Sequence, residues 1–260
     1  VLEDMIKVWK GTQAKADAKA LKAWWKEVDA WRSVDCLKFK QEGDIIKPQH
    51  ALTRLWELGR EAKREPYVTT EVGQHQMWAA QYLGFDKPNQ WMTSGGLGTM
   101  GYGLPAAMGV QVAHPNELVV CVAGEASYLM NVQELSTISQ YRLPVKSFIL
   151  NNFYLGMVRQ WQELLHGRRY SESYMNSLPD FVKLAETFNM VGLRATKPSE
   201  LDDVIKEMIK IDKPVIADIH VDQMENVFPM IPSGAAHNEM LLGPDDETEK
   251  PISEEGMVLV

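Results

Sequence analysis

Six short apolar runs, separated by segments long enough for helices, constrain the fold of this chain more than any other feature. They are Tyr67 to Thr70, Trp91 to Thr93, Leu118 to Ala123, Val145 to Leu150, Val191 to Ala195 and Val215 to Val221. Runs this short, several of them rich in Val and Ile, read as strands rather than helices. Strands that alternate with helices need crossovers, and right-handed crossovers lay the helices over both faces of a parallel sheet. The expected fold is therefore α/β, a doubly wound parallel sheet with helices on both faces. In such sheets ligands gather beyond the carboxyl ends of the strands. Four polar or glycine-rich clusters each follow a predicted strand directly: Glu71-Val72-Gly73-Gln74-His75, Ser94-Gly95-Gly96-Leu97-Gly98, Gly124-Glu125-Ala126-Ser127 and Asn151-Asn152. All four are expected on one edge of the sheet.

Three stretches are expected along the chain. Residues 1–47 read as a helical appendage and linker from a preceding domain, with Trp9, Leu21, Trp24, Trp25, Val28 and Trp31 in a partly helical pattern between Glu3 and Arg32. Pro48 suits the first turn of a helix running to about Lys63, and residues 48–222 form the sheet domain. Residues 223–260 lose the alternation and turn acidic through Asp245, Asp246, Glu247 and Glu249, which reads as an extended tail, mobile at its end. The formal charge of -8, with no basic face, argues against nucleic-acid or anionic-membrane partners. No apolar run approaches the roughly 18 residues of a spanning helix, and the first residues are not signal-like. Cys36 and Cys121 lie far apart, so no disulfide framework is expected and a reducing compartment fits, either the cytoplasm or an organelle after import.

Gly96-Leu97-Gly98-Thr99-Met100-Gly101 formally matches the dinucleotide fingerprint, with Glu125 available as its ribose-binding acid. That site needs a buried apolar strand running into the first glycine, whereas Gln90-Trp91-Met92-Thr93-Ser94 is short and polar. A nicotinamide-dependent dehydrogenase stands as one alternative, and glycines that only let a helix pack closely on a strand as another. More informative is Gly124-Glu125-Ala126, followed by a helical segment from about Asn131 to Tyr141, the strand from Val145 and the pair Asn151-Asn152. A carboxylate and an amide oxygen at neighbouring strand ends can grip a hard cation, while the turn offers N–H groups to a diphosphate. Helix capping by Glu125 is the competing explanation.

This set resembles the thiamine-diphosphate motif, Gly-Asp-Gly or Gly-Asp-Ala followed at a fixed interval by Asn-Asn. The resemblance implies a Mg2+ ion held by the side chains of Glu125 and Asn152 and the backbone carbonyl of Tyr154. The family usually has Asp where this chain has Glu125, so the turn must retreat slightly to keep an octahedral ion. Longer strings narrow the resemblance to the acetolactate synthase, or acetohydroxyacid synthase, family. They are Val72 through Gln81, Thr93 through Ala107, Gln133-Glu134-Leu135 with Leu143-Pro144-Val145-Lys146, Gly156 through Trp161, and Phe228 through Pro232. By that resemblance Gly73, Gln74, His75, Gly124, Ala126, Ser127 and Asn152 surround the diphosphate. The carbonyl of Gly98 accepts from the cofactor's 4'-amino group, Met100 wedges beneath the cofactor to impose its bent form, and Met157 joins them. Trp161 shapes the second-substrate pocket and favours 2-ketobutyrate over pyruvate. Without the resemblance, Met100 and the spacing of Met157, Trp161 and Leu164 would read as ordinary core. The polar segment from Gln162 to Tyr174, with Arg168 and Arg169, reads as a lid or an exposed loop. His50, His114, His166, His220 and His237 have no metal-ligand spacing, and no nucleophile elbow occurs.

The implied activity is condensation of pyruvate with pyruvate or 2-ketobutyrate with loss of CO2, in branched-chain amino-acid biosynthesis toward isoleucine and valine. In the family, the glutamate that starts the reaction comes from an N-terminal domain of a neighbouring subunit, and FAD is bound by the full-length protein. Neither is expected within this chain. It is expected to be a C-terminal portion, inactive alone, paired with N-terminal domains of another chain in a homodimer or higher oligomer. A regulatory small subunit is a further expected partner. A non-catalytic module that keeps the fold, and a pyruvate oxidase relative, are the alternatives.

Overall fold

The computed structural model describes residues 1–12, 15–232 and 234–243. The chain divides into two compact units, Val1–Lys38 and Phe39–Val260. The first holds α1 (Leu2–Gly11) and α2 (Ala18–Arg32), neither with a buried residue. The periodic stretch from Glu3 to Arg32 is therefore two helices. The second begins at Asp17, whose carboxylate accepts from the Lys19 and Ala20 N–H groups at 2.9 and 3.1 Å and caps it. Trp24 and Trp31, seven residues apart on α2, meet edge to face at 5.5 Å.

In the second unit α3 (Pro48–Glu61) leads into β1 (Tyr67–Thr70), α4 (Gln74–Tyr82), β2 (Trp91–Thr93), α5 (Gly103–Ala113), β3 (Val119–Gly124) and α6 (Glu125–Leu129). Then follow α7 (Glu134–Tyr141), β4 (Lys146–Asn151), α8 (Gly156–Leu164), α9 (Phe181–Thr187), β5 (Val191–Ala195), α10 (Pro198–Lys210) and β6 (Val215–His220). All six expected strands are present, the ends of three differing by a residue. The helix expected from Asn131 starts only at Glu134, because the Asn131 side chain is turned to the Gly101 carbonyl and residues 131–133 form turns.

The strands make one wholly parallel sheet in the order β2-β1-β3-β4-β6-β5. Alternation along each central strand divides the core in two. Val120, Val122, Phe148 and Leu150 pack with Leu52 and Leu55 of α3, Trp78 of α4 and Ile205 of α10. Val119, Cys121, Ala123 and Ile149 pack with Leu104 of α5, Ile138 of α7 and Phe181 of α9. The sheet is thus doubly wound, as its continuous apolar strands require. From β1 the chain winds outward to β2, then returns to the other side of β1 for β3. The switch point lies between β1 and β3, whose following loops part there and leave a crevice.

After β6 the chain does not simply extend. Met230 pairs with Leu241 as an antiparallel bridge around a 3-10 turn at His237–Glu239. The acidic stretch at Asp245 to Glu249 lies outside the described residues. Cys36 is exposed, Cys121 is buried, and both are free thiols. Among the described residues no helix is long and apolar enough to cross a membrane.

Candidate functional site

The strands at and beside the switch point, β1, β3 and β4, release polar loops at the same edge of the sheet. Beyond β1 come Glu71 and Val72, with Gly73 at the start of α4; β3 runs into Glu125, and β4 ends in Asn151. These loops enclose a cavity of about 570 Å3. Gly73, Gln74 and His75 line one side and Gly124, Glu125, Ala126 and Ser127 another. Gly98 and Met100 enter from the β2–α5 loop, Asn152 and Tyr154 from the end of β4, and Met157 and Trp161 from α8. Each residue that the resemblance assigns to the diphosphate, the metal ion, the cofactor rings or the acceptor therefore lines one cavity. The glycine string does not make a dinucleotide turn. Leu97 is 95% exposed, and residues 94–102 separate β2 from α5 where the fingerprint needs a strand running straight into a helix.

The polar groups of the cavity are buried and incompletely partnered. Glu125 is buried, and its Oε1 has no hydrogen-bond partner. Burial pushes its carboxyl up to about 8, against the opposing N–H groups of Glu125 itself, Tyr154 and Asn152. His75 is buried, and desolvation pushes it down to about 3, so its ring is neutral with Nε2 unpartnered. Asn152 donates through Nδ2 to Gln74 Oε1 at 3.2 Å, while its Oδ1 accepts from the Tyr154 N–H at 3.1 Å. A carboxylate oxygen, an amide oxygen and the backbone at Tyr154 form a hard donor set suited to Mg2+, and the orphaned Glu125 oxygen is what a cation would satisfy. No cluster of three His, Cys, Asp or Glu side chains suited to a metal occurs among the described residues.

Asp218 of β6 supports this arrangement from behind. It is buried and accepts from Asn151 Nδ2 at 3.0 Å and Arg194 Nε at 3.0 Å, with His220 Nε2 at 3.2 Å. The Asn151 Oδ1 in turn accepts from the Phe153 N–H at 3.2 Å, fixing the turn that carries Asn152. Burial alone would raise the Asp218 carboxyl, but His220, Asn151 and Arg194 outweigh it and hold it below its ordinary value. A depressed carboxyl stabilises the fold fully above its unfolded value, near 3.9, and loses that contribution as pH falls through the folded value. Asp218→Asn is accordingly expected to cost about 1–3 kcal/mol at neutral pH. Calorimetry should show its deficit narrowing below about pH 4; a deficit that stays constant would exclude the ionised pair as its source.

Phe228 through Pro232 are among the strings that carry the resemblance, but sequence reasoning gave the far wall of the cavity no role. Met230, Ile231 and Pro232 line the cavity, although they lie beyond the last strand. They are held by α8, on which Arg159 and Gln160 are buried. Gln160 Oε1 accepts from Gln74 Nε2 and the Val227 N–H, both at 2.8 Å, and Arg159 Nη2 donates to the Glu225 carbonyl at 2.8 Å. The available signal was the family string Phe228 through Pro232; nothing local in α8 shows that Arg159 and Gln160 are covered. The segment from Gln162 to Tyr174 is partly α8 itself, and the remainder is pinned back. Gln162 bonds Ser171 and Ser173, and the Leu155 N–H donates to the Ser173 carbonyl at 2.7 Å.

Residues 71–219 match the family model described as thiamine pyrophosphate enzyme, C-terminal TPP binding domain. The chain is 47% identical over 251 residues to the acetolactate synthase isozyme 3 large subunit of Escherichia coli (strain K12), covering 95% of this chain and 43% of that protein. It is 46% identical over 252 residues to the acetolactate synthase large subunit of Haemophilus influenzae, with the same coverage of 95% and 43%. To the acetolactate synthase large subunit of Porphyra purpurea it is 45% identical over 220 residues, 84% of this chain and 36% of that one. The chain thus spans less than half the length of these relatives.

Proposed function

Because the chain belongs to the thiamine pyrophosphate enzymes through their C-terminal TPP binding domain, we propose that it is the cofactor-holding portion of an acetolactate synthase large subunit. The observation that carries this reading is the convergence of strand-end residues on one cavity, where Glu125 leaves a buried carboxylate oxygen unpartnered. Gly73, Gln74, His75, Ala126 and Ser127 would take the diphosphate; Glu125, Asn152 and Tyr154 would hold Mg2+. Gly98, Met100 and Met157 would flank the rings. When bound, thiamine diphosphate supplies a nucleophilic thiazolium carbon and an electron sink for loss of CO2. The chain's own residues bind and orient: His75, buried and neutral, lines the diphosphate end, and the apolar α8 face with Met230 and Ile231 keeps water from the reacting end.

The substrates in this reading are pyruvate and a second 2-ketoacid, and the product is a branched acid on the way to isoleucine and valine. N-terminal domains from another chain complete the site in a dimer or larger assembly, with FAD and a regulatory subunit belonging to that assembly, in the cytoplasm or an organelle. Calorimetric titration tests the core of the reading: thiamine diphosphate is expected to bind only with Mg2+, and no such binding, with or without a complementing N-terminal segment, sinks it. Trp161, 40% exposed on α8 one turn after Met157, would contact the acceptor in this reading. Pyruvate and 2-ketobutyrate differ by one methylene, worth about 1–3 kcal/mol in an apolar pocket. In the complemented protein, Trp161→Leu should reduce the preference for 2-ketobutyrate by about tenfold, read from competition between the two acids. An unchanged ratio would remove Trp161 from substrate selection.

A further inference from the structure

The loop that presents Gly98 and Met100 is fixed by a carboxylate lying outside the cavity. Glu71, the first residue beyond β1, is fully buried. Its Oε2 accepts from the Gly101 N–H at 2.6 Å and its Oε1 from the Leu104 N–H at 3.0 Å. On the next peptide, Asn131 Nδ2 donates to the Gly101 carbonyl at 2.5 Å. Thr69 Oγ1 donates to the Gly103 carbonyl at 2.8 Å. The approach is close enough that a Cβ at Gly103 would fall 2.7 Å from the Glu71 nitrogen.

Helix capping alone does not account for this contact. The N-cap of α5 is Tyr102, and the Gly101 N–H that Glu71 takes lies before the helix begins. Met100 is therefore tethered through its own carbonyl-side peptide. Glu71 is also two residues from Gly73 and four from His75, on the opposite wall. One side chain ties the strand end that leads into Gly73–His75 to the loop that carries Gly98 and Met100.

We propose that Glu71 is a positioning residue that sets how far Met100 and Gly98 reach into the cavity, and so governs the grip on the ring end of the cofactor rather than on its diphosphate. The inference rests on reading the cavity as a thiamine diphosphate site. A carboxylate offers acceptors to both N–H groups; a carboxamide in its place offers one acceptor and turns an N–H toward the other. Glu71→Gln should therefore loosen the Met100 loop while leaving Gly73–His75 and Glu125 in place.

The test is titration of the whole chain with two probes in Mg2+, thiamine diphosphate and inorganic diphosphate. Glu71→Gln is expected to weaken thiamine diphosphate by about tenfold or more, with inorganic diphosphate held within about threefold. Asn131→Ala, at a partly exposed position holding the same loop, should shift the ratio in the same direction by less, and it decides the matter if Glu71→Gln does not fold. Equal weakening of both probes would mean a merely structural role, and no weakening of either would mean none; each overturns the inference. An unsubstituted chain that binds neither probe removes the cofactor reading and this inference with it, an outcome visible before any variant is made.

Discussion

Glu125→Gln is expected to make the metal-free chain more stable at pH 8 while abolishing its Mg2+-dependent affinity for thiamine diphosphate. Glu125 is buried with one oxygen unpartnered, and burial lifts its carboxyl to about 8. In the unfolded chain the same group ionises near 4.3. A carboxyl raised on folding favours the fold fully below that unfolded value and loses the contribution as pH climbs to the folded one. At about 1.4 kcal/mol per unit, the metal-free chain forfeits a few kcal/mol by pH 8. A neutral amide avoids that loss, so the variant's advantage in thermal midpoint should grow from about pH 5 to about pH 8. Adding Mg2+ and cofactor should reverse the order, because only the carboxylate gains a cation partner. Loss of this proposed ligand should exceed the roughly 10–100-fold typical of outer-shell changes. Scanning calorimetry across that pH range, with and without Mg2+, reads both effects. A variant that is less stable than its parent at pH 8 without metal, or that keeps Mg2+-dependent binding, would refute the assignment.

Glu125 also marks how far the sequence could be read. The strands were legible because central strands of a parallel sheet are buried on both faces and so appear as continuous apolar runs, as Val119 to Ala123 and Phe148 to Leu150 do. Once they were placed, the rule that ligands collect at strand carboxyl ends brought Gly73, Gly124 and Asn152 to one edge without side-chain information. What stayed hidden depends on contacts between distant segments. Arg159 and Gln160 look like the solvent face of a helix, and they are buried because residues 225–230 fold over them from more than sixty positions away. Local periodicity carries no trace of that covering strand of chain. The second helix of the appendage starts afresh at Asp17, whose side chain caps α2, a local signal that the helical pattern alone does not carry. Glu71 was visible as part of a polar cluster, but its hold on the Gly101 N–H required the geometry.

The same long-range stitching makes Gly156→Ala the most damaging small substitution expected in the cavity wall. A Cβ there would lie 2.1 Å from Gln74 Oε1 and 2.8 Å from Asn152 Nδ2. Gln74 has little room to yield. Its Nε2 donates to Gln160 Oε1 at 2.8 Å and to the Glu225 carbonyl at 3.0 Å, and its Oε1 holds Asn152. Displacing it therefore disturbs Asn152 on one side and the segment carrying Met230 on the other. Alanine favours a helix over glycine by about 1 kcal/mol, and less at the first residue, where Gly156 sits. Overpacking costs about 1–3 kcal/mol, and a broken buried hydrogen bond about 1 kcal/mol more, so the steric effect prevails. The variant should unfold at a lower temperature and bind Mg2+-diphosphate at least about tenfold more weakly. Gly109→Ala supplies the comparison: it lies within α5 with nothing inside 4 Å of the added carbon, and should stabilise the chain by up to about 1 kcal/mol. If Gly156→Ala behaved like Gly109→Ala in both melting and titration, the contact linking Gln74, Asn152 and α8 would not be what holds this wall of the site.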